Sequence, residues 1–352
     1  MTSAAAKKAK IAIIGDRFML PSMFADAIRS RCGDGLTIET LEMPWPDEPM
    51  EHGYAVLGMD GLKEYQGDAD EIVRFVDDAD IVVTQLAPFS AAMLERLPNL
   101  KLIAVSRGGP VNIDMDAARK RNILVVNTPG RNASAVAEFT IGLIIAETRR
   151  ITRGHDGLRR GVWRGDLYRA DLTGEELSQI TVGVIGYGHI GTKLVRLLKA
   201  FGCRILVADP YVQLSAADAR DGVQHVGLDS LLRDSDVVTL HARVTEETRG
   251  FIGREQFAAM REGAYFINTA RGPMVDYDAL TEALKCGRLR GAALETFAVE
   301  PTPSNLELLR LENVTLTPHI AGASIKTVRH AAEAAAEEVR RYLADEIPLN
   351  PC

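Results

Sequence analysis

Residues 181–209, just past the middle of the chain, carry the pattern that most restricts how it can fold. Thr181-Val182-Gly183-Val184-Ile185 is a short apolar, β-prone run that reads as a buried strand. Gly186, Gly188 and Gly191 follow as G-x-G-x-x-G, and from Ile190 the apolar residues Leu194, Leu197, Leu198 and Phe201 recur at helical spacing. A second run, Arg204-Ile205-Leu206-Val207-Ala208, ends in Asp209, roughly 20 residues beyond the glycines. Gly186 permits the tight turn, Gly188 lets a pyrophosphate approach the backbone, and Gly191 lets the helix pack on the strand. The N–H groups and dipole at the helix N-terminus attract phosphates. Asp209 would accept hydrogen bonds from ribose hydroxyls and repel a 2′-phosphate, so the pattern predicts bound NAD rather than NADP. The glycines alone would not suffice, because S-adenosylmethionine sites use similar turns. Strand, glycines, helix, strand and acid in register carry the prediction.

Such turns usually open a domain, yet residues 1–180 precede this one. Lys10-Ile11-Ala12-Ile13-Ile14-Gly15 is a strand running into a glycine turn. Further β-like runs lie at 80–83, 101–105 and 123–126, with helical segments such as 91–97 and 115–121 between them. Strand and helix alternate, so this part is also an open, mostly parallel α/β sheet. Residues 43–60, rich in Pro, Gly and Met, read as an irregular excursion. After the glycine turn the alternation continues, with strands at 236–240, 264–268, 291–294 and 314–316 and a final helix over 324–344. The nucleotide domain is thus expected between two pieces of something else, and 352 residues are enough for two cores.

Composition narrows the function classes. Hydrophobic residues make up 46% and charged residues 25%, ordinary globular values, and a net charge of −7 argues against a general nucleic-acid surface. The basic stretch from Arg149 through Arg160 to Arg164 reads as a solvated helix face or a subunit contact. Cys32, Cys203, Cys286 and Cys352 have no metal or redox spacing, which fits a reducing cytosol and no metal site. The apolar run at Ile11 is too short for a signal peptide, and no stretch is long enough to span a membrane. A cytoplasmic protein is expected.

Three side chains near the ends of later strands can carry chemistry. Arg271 follows the 264–268 strand, at the carboxyl edge where open α/β sheets bind ligands. A guanidinium there can hold a carboxylate bidentately and polarise the neighbouring carbonyl. A surface arginine in a turn is the alternative, but Asn268 and Gly272 favour a constrained loop. Glu300 precedes Pro301, and His319 follows Pro318. Oxidising a hydroxyl by hydride loss also removes a proton, and histidine is the natural base near neutrality. A carboxylate beside it would favour the imidazolium and fix its tautomer. The residues alone leave open a solvated glutamate and a satisfied buried histidine.

The chain resembles the D-2-hydroxyacid dehydrogenase family, especially its phosphoglycerate-dehydrogenase-like members, over nearly its whole length. The resemblance is carried by Gly130-Arg131-Asn132 leading to Val136-Ala137-Glu138, by the glycine turn, and by "INTARGPMVD" (267–276), "GAALETFAVEP" (291–301) and "TPHIAG" (317–322). It implies a Rossmann NAD-binding domain (130–318) inserted into a flavodoxin-like substrate domain (1–129), which residues 319–352 return to complete, with the catalytic cleft between the two. It makes Arg271 the carboxylate clamp, Glu300 the partner and His319 the acid/base. It also implies that His189, Ile190, Asp209, His241, Thr269 and Ala270 touch the cofactor, and that Arg107, Gly108 and Gly109 line the pocket for a 2-hydroxy or 2-keto acid. A homodimer is expected, with residues 152–168 and Trp163 as the candidate contact.

Three positions depart from the family pattern. Glu295 stands where Asp is usual; that residue meets the nicotinamide carboxamide, so the longer side chain would reposition the ring. Arg243 stands where proline is usual. Thr84-Gln85-Leu86 replaces the basic residue that phosphoglycerate-type members carry after the 81–83 strand, which puts a phosphorylated substrate in doubt. The alternative function is an NAD-sensing corepressor on the same fold; formate dehydrogenase is disfavoured because it has glutamine where Glu300 stands.

Overall fold

The computed structural model describes residues 9–45 and 58–352. Most of the excursion expected at 43–60, and nearly all of the basic N-terminus, lie outside the described residues. The chain contacts divide it into two units: one runs up to Asn132 and resumes at Ala323–Cys352, the other is Ala133–Gly322.

The first unit is built on a five-stranded sheet of β1 (Lys10–Gly15), β2 (Thr37–Glu42), β3 (Ile81–Thr84), β4 (Leu102–Val105) and β5 (Leu124–Asn127). The order is β2-β1-β3-β4-β5 and every pairing is parallel, the flavodoxin-like arrangement. Its helices are α1 (Pro21–Cys32), α2 (Ala69–Val76), α3 (Ala91–Glu95), α4 (Met115–Lys120) and α12 (Ile325–Leu343). The pleat of β1 decides which residues meet which helices. Ile11 and Ile13 pack with Phe24 and Ile28 of α1 and with Val328 and Ala332 of α12. Ala12 and Ile14 pack on the other face with Ile72 and Val76 of α2 and Leu94 of α3. Helix α12 buries Val328, Ala331, Ala332, Ala335, Ala336 and Val339, one stripe at helical spacing whose alanines permit close approach. It starts where the Ser324 hydroxyl accepts the Thr327 N–H at 3.1 Å.

The second unit has seven parallel strands: β6 (Thr181–Ile185), β7 (Arg204–Ala208), β8 (Gln224–His225), β9 (Val237–Leu240), β10 (Ala264–Asn268), β11 (Leu289–Leu294) and β12 (Val314–Leu316). Their order, β12-β11-β10-β9-β6-β7-β8, reverses direction between β6 and β9, and open α/β sheets bind ligands outside the carboxyl ends of their strands at such a point. Helices α5 (Ala133–Thr148) and α7 (His189–Ala200) cover one face through Ala137, Ile144, Leu194 and Leu198 against Val182 and Val184. The other face carries α9 (Leu228–Asp234), α10 (Arg254–Ala259) and α11 (Tyr277–Lys285). There Phe257 meets Phe266 edge to face, ring centroids 5.4 Å apart. Helices α6 (Ile151–Arg159) and α8 (Ala216–Arg220) complete the unit. Both sheets are doubly wound, so the expected α/β class is the fold.

Candidate active site

The turn between β6 and α7 explains its three glycines differently. Gly186 has φ +98°, and a Cβ on it would lie 2.8 Å from the Ala242 nitrogen and the His241 carbonyl carbon. A Cβ on Gly191 would lie 2.1 Å from the Gly186 oxygen, so only glycine lets α7 sit this close to the strand. Around Gly188 nothing lies within 4 Å of the added Cβ, which leaves open space above the turn. His189 and Ile190 stand in the first turn of α7, where backbone N–H groups lack helical acceptors.

Asp209 ends β7 and braces this turn. Its Oδ2 accepts the Tyr187 N–H at 2.7 Å, and its Oδ1 accepts the N–H groups of Tyr211 at 2.9 Å and Val212 at 3.0 Å. The Tyr187 hydroxyl donates to Asp218, whose other oxygen holds Lys199 Nζ at 2.6 Å. His241, after β9, is buried, and the lack of solvation pushes its pKa down to about 3, so the imidazole is neutral. Its Nε2 is 2.9 Å from the Thr239 hydroxyl, while its buried Nδ1 has no protein partner. Open backbone at a helix N-terminus, a fixed carboxylate and an orphaned buried nitrogen form a donor and acceptor set that fits a dinucleotide.

The second cluster lies beyond β10 and β11. Asn268 shapes the loop after β10: its Oδ1 accepts the Ala270 N–H at 3.0 Å and its Nδ2 donates to the Arg271 carbonyl at 3.3 Å. The Thr269 hydroxyl pairs with that of Thr140 on α5 at 2.9 Å. A Cβ on Gly272 would fall 1.9 Å from the Phe297 carbonyl, so this loop crosses the 297–300 segment by contact with bare backbone. Arg271 keeps solvent-exposed surface, yet the protein crowded around it desolvates the guanidinium and lowers its pKa, against the pull of the Glu300 carboxylate. Glu300 accepts the Phe297 N–H at 2.8 Å through Oε1 and meets His319 Nδ1 at 2.7 Å through Oε2. With Nδ1 engaged, Nε2 is the nitrogen that can carry a reacting proton. His319 has φ +54°, a left-handed conformation uncommon outside glycine, and its N–H donates to the Glu295 carbonyl at 3.0 Å.

Arg271, Glu300 and His319 are therefore gathered within the second unit. Arg107, Gly108 and Gly109 follow β4 in the first. Arg107 pairs with the Glu64 carboxylate and donates to the Glu64 carbonyl at 2.7 Å, and Asn127 Nδ2 donates to the Gly108 carbonyl at 3.2 Å. Thr84, Gln85 and Leu86 are all buried. Glu295 is 1% exposed; its side chain accepts the Thr317 hydroxyl and the Ala321 N–H, and burial raises its pKa. The ties through Thr140, Asp218, Thr317 and Ala321 have no signal in the sequence, since each links residues far apart in it. Among the described residues no group of three or more His, Cys, Asp or Glu side chains could hold a metal, and no helix is long and apolar enough to cross a membrane.

A family model described as D-isomer specific 2-hydroxyacid dehydrogenase, NAD binding domain, matches residues 141–321. The chain belongs to this family. It is 39% identical over 287 residues to a glyoxylate reductase of Thermofilum pendens, covering 81% of this chain and 85% of that one. To a D-3-phosphoglycerate dehydrogenase of Methanocaldococcus jannaschii it is 38% identical, covering 80% of this chain and 53% of the relative. Among solved structures, a D-lactate dehydrogenase with NAD+ from Lactobacillus jensenii superposes with a TM-score of 0.78 at 25% identity, over 97% of this chain and 99% of that one. This 2-hydroxyacid dehydrogenase is accordingly an NAD-dependent oxidoreductase, and the glycine turn after β6 falls inside the matched NAD-binding segment.

Proposed function

We propose that the enzyme reduces a small, unphosphorylated 2-keto acid with NADH, Arg271 holding the substrate carboxylate and His319 supplying the proton. Bound NADH supplies the hydride. The Arg271 guanidinium, with its planar fork, fixes the keto acid by its carboxylate and polarises the adjacent carbonyl. His319 protonates the carbonyl oxygen from Nε2, and Glu300 at Nδ1 offsets the imidazolium charge and holds the ring. The observation that carries this reading is the 2.7 Å contact between Glu300 Oε2 and His319 Nδ1, one loop away from Arg271. In the oxidative direction the same nitrogen takes the proton back. The cofactor is held by Gly186, Gly188, His189, Ile190, Gly191, Asp209, His241, Thr269 and Ala270, in a domain of residues 130–318.

Two features favour an unphosphorylated substrate. The segment after β3 is the neutral Thr84-Gln85-Leu86, and the charge of Arg107 is already matched by Glu64. Glyoxylate and hydroxypyruvate, tested with NADH beside the phosphate ester of hydroxypyruvate, decide the matter. The unphosphorylated acids are expected to give the higher kcat/KM; a clear preference for the ester would overturn this reading. Four free cysteines support a cytoplasmic protein. A homodimer is supported by apolar side chains on and after α6: Leu158 is 58% exposed, Trp163 83% and Tyr168 94%.

A further inference from the structure

We infer that Glu295 is a positioning residue that holds the loop presenting His319. This rests on the reading of His319 as the proton carrier. Glu295 is the first residue past β11, and Thr317 the first past β12, two strands paired in parallel up to Leu294 and Leu316. From that place Glu295 reaches the loop at three points. Its backbone carbonyl accepts the N–H of His319 itself at 3.0 Å. Its carboxylate accepts the hydroxyl of Thr317, two residues before the histidine, and the N–H of Ala321, two residues after it. Both carboxylate oxygens thus accept from the loop, and Glu295 is 1% exposed. The histidine so bracketed has φ +54°, a conformation that persists only where its surroundings over-determine it. Glu300 fixes the ring from one side, at Nδ1; Glu295 fixes the backbone that carries the ring. One carboxylate spans the Thr317 hydroxyl and the Ala321 amide because the glutamate side chain is long enough. An aspartate, the residue usual at this position in the family pattern, is a methylene shorter.

The test uses Glu295→Ala, Glu295→Gln and Thr317→Val in the full-length enzyme. Four quantities are read: kcat, the solvent deuterium isotope effect on kcat, NADH affinity by fluorescence titration, and melting temperature. Loss of the bracket lets His319 stray from the proton-transfer geometry without touching hydride donor or carboxylate clamp. Glu295→Ala should therefore lower kcat about tenfold or more, since misplacement by an ångström can cost that much. It should raise the isotope effect and leave NADH affinity within about twofold. Glu295→Gln can still accept from Ala321 and donate to Thr317, and should recover most of kcat. Thr317→Val should lower kcat in the same sense, and combining it with Glu295→Ala should add little, because both remove one interaction. The inference is overturned if both Glu295→Ala and Thr317→Val keep the parental kcat and isotope effect. It is also overturned if NADH affinity falls tenfold while kcat holds, which would hand Glu295 to the nicotinamide. Should Glu295→Ala not fold, Thr317→Val decides alone. A His319→Ala enzyme that keeps its kcat would instead refute the proton carrier, whatever Glu295 does.

Discussion

His319 and Arg271 are separated in role by what each can lose. On the proposed mechanism, replacing His319 with Ala removes the proton carrier and is expected to lower kcat on the order of a hundredfold or more in steady-state keto-acid reduction. Arg271→Lys keeps a positive charge but loses the planar fork, so both KM and kcat should worsen, by about tenfold in kcat/KM or more. On the proposed reading, Asp209 sets the cofactor choice at the same scale. Its carboxylate is pinned by three backbone N–H groups and cannot swing away from an incoming 2′-phosphate. That like-charge contact should cost a few kcal/mol, on the order of a hundredfold in affinity for NADPH against NADH. Equal turnover with the two cofactors would remove Asp209 from the ribose. The same three bonds mean that Asp209→Ala should loosen the glycine turn as well as relax selectivity.

At the scale of elements, α5 ties the sheet of the second unit to α6 through a buried acid the chemistry does not use. Glu147 accepts the Thr315 hydroxyl of β12 and lies within reach of Arg150 and Arg153, yet burial raises its pKa to about 7. Gly291 on β11 leaves it room, since a Cβ there would come within 2.3 Å of its Oε2. The unfolded carboxyl titrates near 4.5, so the folded chain holds the proton more tightly. Ionisation therefore opposes folding: the cost begins as pH rises past about 4.5 and is complete above about 7. Glu147→Gln removes it and can still accept from Thr315. The variant should melt higher than the parent at about pH 8, by up to about 3 kcal/mol in stability, with the gap closing toward about pH 4.5. A gap that widens on acidification in calorimetry would reverse the sign argued here. Other elements were harder to read from the chain. Strand β2 runs along the sheet edge with most residues exposed, so it lacks the apolar run that marks β1, β3, β4 and β5. Helix α5 is apolar nearly all round, with no polar face to give it a period.

For the molecule as a whole, two parallel sheets are each covered by helices on both faces, while large aromatic side chains of the second unit stay in solvent. Trp163 and Tyr168 lie on the segment after α6 with most of their surface in solvent. If a second copy covers them, Trp163→Asp together with Tyr168→Asp should give a monomer in sedimentation at micromolar concentration, where the parent sediments as a dimer. A monomeric parent would sink the proposal. A net charge of −7 also predicts weak association with nucleic acid at low salt, where like-charge repulsion is least screened.

By itself the sequence determined the α/β class and the place of the glycine turn, and through the resemblance of its short motifs to a family it pointed to Arg271, Glu300 and His319. Each of these is announced locally, by an apolar period, a glycine spacing or a short motif. Tertiary structure decided what those residues touch. Strand order puts β9 beside β6 and β12 beside β11, and so brings His241 to Gly186 and Glu295 to Thr317. Gly272 reads as a loop glycine in the sequence, while in the fold it is the only residue that fits under the Phe297 carbonyl. Arg107 is named in the sequence only through the family pattern, while the fold matches its charge with Glu64, 43 residues earlier. Glu295 reads as an oversized aspartate, and the fold spends its extra methylene on reaching two donors at once. Hydrogen-bond partners across parallel strands are set by which crossover lands where, and no local pattern in the chain records that.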